Sequence, residues 1–232
     1  MGAQHSFHVI TRRLSIHKKR NSKVVSRREP QTCLQSLPKE QTVDYAQDEF
    51  NRYQTNNTIS MNGIVSLMSD LHIDDISSLQ ALWVAWKFNA KNNIITLNNF
   101  KKCFDEFHMK KVTELVKYIP QNPLDDRVQA KRLFIFSFDC NIEYGQKRIG
   151  KDDCIEILDQ FFGRQNAQLN RFIRFLKQES VRPLSRDEWQ NLFDLIETVQ
   201  LDFLNYSTGD DSCWPLIFES YYNYCMDNKN YY

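Results

Sequence analysis

The sequence predicts an all-α fold: one compact bundle of about ten helices behind a basic N-terminal tail. From Val43 onward apolar residues recur with a period near 3.6, as they do on the buried face of a helix. Capping residues, prolines and glycines separate these apolar segments. No pair of alternating runs flanks an Asn-Gly or Asp-Gly turn, so any strands are expected to be short.

The most apolar segment, residues 81–86, predicts a central helix that is buried on all sides. Asp74 and Asp75 precede it and are its candidate N-caps. The clearest helix start is Ser185-Arg186-Asp187-Glu188, a capping box in which hydroxyl and carboxylate satisfy unpaired backbone amides. The other predicted helices are about 98–109, about 124–139, Lys151–Phe162 ending at Gly163, one carrying Leu169, Phe172, Ile173 and Leu176, and a last one starting at Trp214-Pro215.

Charge divides the 232-residue chain into a predicted disordered tail, residues 1–40, and a predicted helical domain, residues 41–232. The tail holds nine Lys or Arg and two Glu, a balance of +7. The remainder holds 21 basic and 27 acidic residues, a balance of −6. A basic tail before an acidic body bears on partners rather than on fold. The body offers no second basic surface, so nucleic acid is not an expected partner.

The first six residues, Met-Gly-Ala-Gln-His-Ser, match the template for N-myristoylation at Gly2. Eight cations precede the first acid, Glu29, and a polybasic run is the usual second signal beside a single acyl chain. We therefore expect a cytoplasmic protein that associates with anionic membranes through myristate and its tail. A chance match, a solvated arm and a nuclear address at Lys18-Lys19-Arg20, which would give a nuclear pool, remain alternatives.

The sequence predicts neither a metal site nor a cofactor. The six cysteines form no C-x-x-C and the five histidines no H-x-x-x-H, which favours reduced thiols. Asp139-x-Asn141-x-Glu143 starts like a calcium loop, but position 6 is Tyr144 and position 12 is Gly150. Calcium binding is therefore not expected, although degenerate EF-hand-like helix pairs are compatible with the pattern.

No catalytic residue stands out. Cys213 is a candidate nucleophile, but no histidine follows it, and Asp210 and Asp211 would raise its pKa. A small residue packed where a loop meets a helix is the simpler interpretation, and a thioester-forming ligase that uses Cys213 stays as an alternative.

Seven short segments occur in one order along the chain: Phe50–Tyr53, Met61–Ile64, Ala85–Phe88, Gly145–Lys147, Asp187–Leu192, Asn205-Tyr206 and Trp214–Ile217. In this order and spacing, the chain from about Asp48 to Met226 resembles the defective-in-cullin-neddylation family, whose body is the potentiating-neddylation (PONY) domain. The resemblance implies an all-helical fold with two EF-hand-like halves and no catalytic centre. The tail is similar to that of the membrane-directed branch of the family.

The resemblance implies a scaffold-type ligase cofactor that binds a cullin C-terminal winged-helix region and the neddylation conjugating enzyme together. Such a scaffold works through proximity and orientation. A cullin-associated RING protein is a further partner that the resemblance admits. The family's cullin-binding Asp, Ala and Asp match Asp187, Cys213 and Glu219, so two of the three residues differ here.

The resemblance also implies a hydrophobic slot for the acetylated N-terminal Met of the conjugating enzyme, because acetylation removes a charge that is costly to bury. The matching residues are Met61, Ile64, Ala81, Leu82, Val84, Ala85, Phe88 and Ile95, with Cys140 and Leu158 behind them. Each of them could equally be ordinary core. The alternative function is a myristoylated helical adaptor, or a degenerate EF-hand-like protein, that acts by membrane recruitment alone.

Overall fold

A computed structural model describes residues 44–142, 145–207 and 214–227, and within them the chain forms nine α-helices and one 3-10 helix. This confirms the predicted all-α fold of about ten helices. The predicted tail, residues 1–40, lies outside the described residues. The elements are α1 Tyr45–Tyr53, β1 Thr58–Ile59, α2 Met61–Asp70, α3 Leu79–Lys87, β2 Ile95–Thr96, α4 Leu97–Phe107, the 3-10 helix Val112–Tyr118, α5 Arg127–Asn141, β3 Arg148–Ile149, α6 Lys151–Phe162, α7 Ala167–Gln178, β4 Leu184–Ser185, α8 Arg186–Thr198 and α9 Leu216–Asp227.

Two halves of the domain repeat one plan. In the first half, α1–α2 and α3–α4 are helix pairs whose loops meet through β1 and β2, with Ile59 opposite Ile95. In the second half, α5–α6 and α7–α8 meet through β3 and β4, with Ile149 opposite Leu184. These strands are antiparallel and two residues long. Paired helix–loop–helix units joined in this way form the two expected EF-hand-like halves.

The capping signals identified two helices well. The hydroxyl of Ser185 accepts a 3.3 Å hydrogen bond from the Glu188 amide, and a Glu188 carboxylate oxygen accepts a 2.7 Å bond from the Ser185 amide. Helix α6 runs over Lys151–Phe162, as predicted, and ends at Gly163 with a positive φ of 68°.

The start of α3 was predicted wrongly. Its N-cap is Ser78, whose side chain accepts a 3.1 Å bond from the Ala81 amide. Asp75 is instead engaged in the preceding turn, where its carboxylate accepts a 2.9 Å bond from the Ser77 amide. Other boundaries moved by one to three residues, to Leu97–Phe107, Arg127–Asn141 and a last helix that begins at Leu216.

Aromatic side chains join the elements of the core. Phe134 of α5 and Trp189 of α8 stack with ring centroids 4.4 Å apart, and the Trp189 indole donates a 2.8 Å bond to the Phe134 carbonyl. In the first half, Phe88 stacks on Phe100 at 5.0 Å. Helix α3 packs against α5 and so joins the two halves. None of the helices in the described ranges combines the length and the apolar character that crossing a bilayer requires.

Candidate functional site

The first turn of α8 presents one carboxylate to solvent and buries its neighbour. Glu188 has a side chain only 5% exposed, and it receives hydrogen bonds of 2.6 and 3.2 Å from Arg182. Arg148 approaches the same carboxylate at 3.4 Å. Two arginines and the Ser185 amide therefore satisfy Glu188, which acts as the structural half of the capping box.

Asp187, by contrast, is exposed, and no described cation forms an ion pair with it. Its polar neighbour is Asn191, whose amide nitrogen lies 2.9 Å from the Asp187 carbonyl and 3.5 Å from its carboxylate. The N-terminus of α8 favours a negative charge at this position, so the carboxylate is stable without a basic partner of its own. It remains available to a partner molecule.

The second exposed carboxylate, Glu219, belongs to the first turn of α9. No cation in the described ranges pairs with it. Burial, and then the charge of Glu219, raise the pKa of Tyr206 to about 12, so the phenol stays protonated. Tyr206 stacks between Trp214 and Tyr222 at centroid distances of 5.8 and 5.4 Å, which fixes the start of α9 against the preceding segment.

Cys213 and Gly2 lie outside the described residues. Within the predicted cullin-binding set, the structure therefore places Asp187 and Glu219, both exposed at the first turns of helices α8 and α9. The roles of all three residues stay predictions.

The ten residues of the predicted slot divide by exposure. Val84, Phe88 and Leu158 have no accessible surface. Met61, Ala85 and Cys140 are half-buried and reach the surface. The other four are buried: Ile64, Ala81, Leu82 and Ile95. Most of the predicted slot residues therefore belong to the core, and Met61, Ala85 and Cys140 are the three that offer accessible surface.

A groove of about 650 Å³ opens beside Leu82. Its wall from the first half is the 75–78 turn and α3, and its wall from the second half is α5, α6 and α7. Of the described residues that line it, Leu82 is the one that belongs to the predicted slot. Asn141 also lines the groove, and its buried side-chain oxygen has no hydrogen-bond partner among the described residues. A buried acceptor of this kind suits an incoming N–H donor.

The described cysteines are poor nucleophiles. Burial raises the pKa of Cys103 and of Cys140 to about 12, and also raises the pKa of Cys154 and Cys225. A thiolate is the reactive form of cysteine, and at neutral pH these four side chains hold almost none of it. Among the described residues, no group of three His, Cys, Asp or Glu could hold a metal ion.

The sequence did not reveal the ion pairs next to Asp187 and between the two halves. Arg148 and Arg182 were not singled out, although they neutralise Glu188. Asp139 bonds Arg186 of α8 and lies 3.1 Å from the ammonium of Lys91, which belongs to the first half. Arg182 is six residues from Glu188, but the other partners are 40 to 48 positions apart in the chain, so local spacing could not have revealed those contacts.

Comparison with known proteins identifies the family. A family described as Cullin binding matches residues 107–224, which is about half of the chain. Human DCN1-like protein 4 is 22% identical over 179 residues, which cover 75% of this chain and 60% of that protein. Human DCN1-like protein 5 is 22% identical over 162 residues, which cover 68% and 67% of the two chains.

A DCN1-like protein of another organism matches over a similar range. DCN1-like protein 2 of Dictyostelium discoideum is 23% identical over 177 residues, covering 74% of this chain and 65% of that protein. The chain spans about 60% of the length of human DCN1-like protein 4. With the family match over 107–224, two EF-hand-like halves and about ten helices, the chain belongs to the Cullin binding family of DCN1-like proteins.

Proposed function

We propose that this protein is a non-catalytic, scaffold-type cofactor of cullin neddylation. It binds the C-terminal winged-helix region of a cullin and the conjugating enzyme at once, and it speeds transfer of the modifier to the cullin. Holding two reactants side by side replaces much of the entropy cost of their encounter, so the scaffold needs no reactive group. The high pKa values of its described thiols suit this role.

The observation that carries the proposal is the pair of exposed carboxylates in a domain of the Cullin binding family. Asp187 and Glu219 each stand in the first turn of a helix without a described basic partner. The chain leaves Asp187 in water while it neutralises the adjacent Glu188 with two arginines. Basic side chains of a cullin would form ion pairs with these two carboxylates. Cys213, the third member of the set, would contribute a small contact surface.

For the second partner we propose the acetylated N-terminus of the conjugating enzyme. The half-buried Met61, Ala85 and Cys140 offer apolar surface to it, and the groove beside Leu82 lies between the two halves. The unpaired oxygen of Asn141 is placed to accept a peptide N–H there. A cullin-associated RING protein would join the same assembly.

The test is a reconstituted neddylation reaction with the full chain. We expect the protein to accelerate modification of a cognate cullin, and Asp187→Lys to weaken cullin binding at least tenfold because it sets a cation against basic side chains. Asp48→Lys is the matched control, since Asp48 is an exposed aspartate in the first turn of α1, in the other half. If wild type neither binds a cullin nor changes the rate, the proposal is wrong.

We also propose that the tail tethers this scaffold to anionic membranes through N-myristoylation of Gly2 and its eight basic residues. Gly2→Ala should release the protein from membranes in cell fractionation while reconstituted cofactor activity stays unchanged. The same variant distinguishes the scaffold from the alternative function, an adaptor that acts by membrane recruitment alone. The adaptor needs the tail and not Asp187, so all of its function would be lost with membrane binding. Loss of in vitro activity on this change would contradict the division of labour between tail and body.

A further inference from the structure

A second concave surface lies between the end of α7, the 179–182 segment and α9. It has a volume of about 570 Å³. Phe175, Ile217 and Tyr224 supply buried or half-buried apolar and aromatic surface to it. The groove is distinct from the one beside Leu82, because all of its described lining residues belong to the second half and to α9.

Leu216 lines this groove and is 77% exposed, so most of its apolar side chain lies in water. It shares one face of α9 with Ser220, Asn223 and Asp227, at spacings of four, three and four residues. The helix therefore presents one large apolar side chain at its start and polar side chains after it. Nearly all of the Leu216 surface is free to be removed from water by a partner.

Two groove residues link this surface to the proposed cullin-binding carboxylates. Arg182 lines the groove and donates a 2.6 Å hydrogen bond to Glu188, the residue that follows Asp187. On the other wall, Glu219 stands three residues after Leu216, in the same turn of α9. Neither carboxylate lines the groove itself; Asp187 adjoins a residue that a groove side chain contacts, and Glu219 lies within one helical turn of the groove residue Leu216.

The charges around the groove favour a basic occupant. Glu179 and Asp227 line it, and the one described cation in the lining, Arg182, is already engaged by Glu188. An apolar floor with a negative rim fits an apolar side chain flanked by lysine or arginine. Buried apolar anchors surrounded by polar contacts supply most of the binding energy in such interfaces.

We infer that this groove extends the cullin interface and takes an apolar side chain, flanked by basic residues, from the same cullin C-terminal region that Asp187 and Glu219 hold. The inference rests on the proposed function. Leu216 is then a specificity-determining residue, because the shape of the groove would distinguish cullins that share the same basic charge.

The test measures affinities of the full chain for a panel of cullin C-terminal domains. Leu216→Asp should weaken binding at least tenfold, since it places a charge in a desolvated contact, whereas Leu216→Met should keep binding within about threefold. Val128→Asp is the control: Val128 is 63% exposed, and its neighbour Arg127 pairs with Glu197 at the far end of α8 from Asp187. Because Leu216 is exposed, circular dichroism should show an unchanged fold in each variant.

The outcomes separate this inference from the proposed function. If Asp187→Lys abolishes cullin binding while Leu216→Asp leaves all affinities unchanged, the groove is not part of the interface and the scaffold proposal stands. If Leu216→Asp tightens cullin binding, a segment of this chain occupies the groove and the inference is wrong. If the wild-type protein binds no cullin, both the proposed function and this inference are wrong.

Discussion

At the scale of single residues, two adjacent carboxylates in α8 differ in burial: one is buried and the other is exposed. Glu188 is buried and accepts bonds from Arg182, Arg148 and the Ser185 amide, so its charge contributes to folding. Asp187 points to solvent without a described basic partner, so its charge costs the fold little and is free for recognition. One residue therefore stabilises the turn that presents the other.

Replacing each carboxylate by alanine should separate stability from binding. Glu188→Ala removes the reciprocal half of the capping box and one partner of a buried ion pair, and should lower the free energy of unfolding by about 2 kcal/mol. The cost stays below that of a fully buried pair because Arg148 and Arg182 are about half exposed and regain water. Asp187→Ala should change stability by less than about 0.5 kcal/mol while it weakens cullin binding.

Urea unfolding measures both variants, with Glu188→Gln as the control that keeps an acceptor for the Ser185 amide. Glu188→Gln should fall between wild type and Glu188→Ala. Equal stabilities of Glu188→Ala and Asp187→Ala would refute the structural role of Glu188.

At the scale of elements, the sequence predicts a helix well where its end signals are local and uncontested. Helix α6 and the cap of α8 followed the prediction because Gly163 and the Ser185–Glu188 box have no local competitor. The start of α3 did not, because Asp75 is engaged by Ser77 and leaves the cap to Ser78. The two-residue strands are too short to alternate visibly, so periodicity could not locate them.

The predicted site shows the same limit. Helical spacing could not divide the slot residues into core and surface, because a buried Val84 and a half-buried Ala85 fit the same apolar pattern. The spacing likewise could not show that Asp187 is exposed while the adjacent Glu188 is buried. Arg182 and Arg148 both neutralise Glu188, and no local pattern signals the contact from Arg148, which is 40 residues away.

Close contact between α1 and α2 yields a prediction that runs against helix propensity. Gly63 lies inside α2, where alanine normally stabilises a helix by about 0.5–1 kcal/mol. Here a Cβ would come within 2.2 Å of the Tyr53 carbonyl oxygen and 2.7 Å of a methyl of Ile59. Because a backbone atom cannot rotate away, Gly63→Ala should instead destabilise the protein by about 2 kcal/mol.

Thermal unfolding gives the comparison, and Ser66→Ala is the control. Ser66 is exposed on the same helix and its hydroxyl donates to the Asn62 carbonyl one turn earlier, so its replacement should be neutral or slightly stabilising. A higher melting temperature for Gly63→Ala than for wild type would mean that α1 and α2 are not held at this distance.

At the scale of the whole molecule, Asp139 connects the two halves. Its side chain is 11% exposed; one carboxylate oxygen lies 3.1 Å from Lys91, in the loop between α3 and β2, and the other bonds Arg186 at the start of α8. Lys91 belongs to the half that carries most of the predicted slot, and Arg186 is adjacent to Asp187. The carboxylate that began the rejected calcium pattern is thus used in ion pairs that bridge the two proposed binding surfaces.

If the scaffold works by holding two partners in a fixed relation, loosening this bridge should reduce the rate more than the affinities. Asp139→Ala should cost about 2 kcal/mol of stability, between the values for exposed and buried ion pairs, and lower the melting temperature by roughly 4–8 °C. Its dissociation constants for a cullin domain and for an acetylated conjugating-enzyme peptide should each stay within threefold of wild type. The reconstituted neddylation rate should nevertheless fall several-fold, because misplaced partners meet less often in reactive geometry.

Asp194→Ala is the control, since Asp194 pairs with Lys131 at 2.6 Å inside the second half alone and should leave the rate unchanged. Equal rates for Asp139→Ala and wild type at saturating partners would show that a fixed relation between the halves is not what the scaffold supplies.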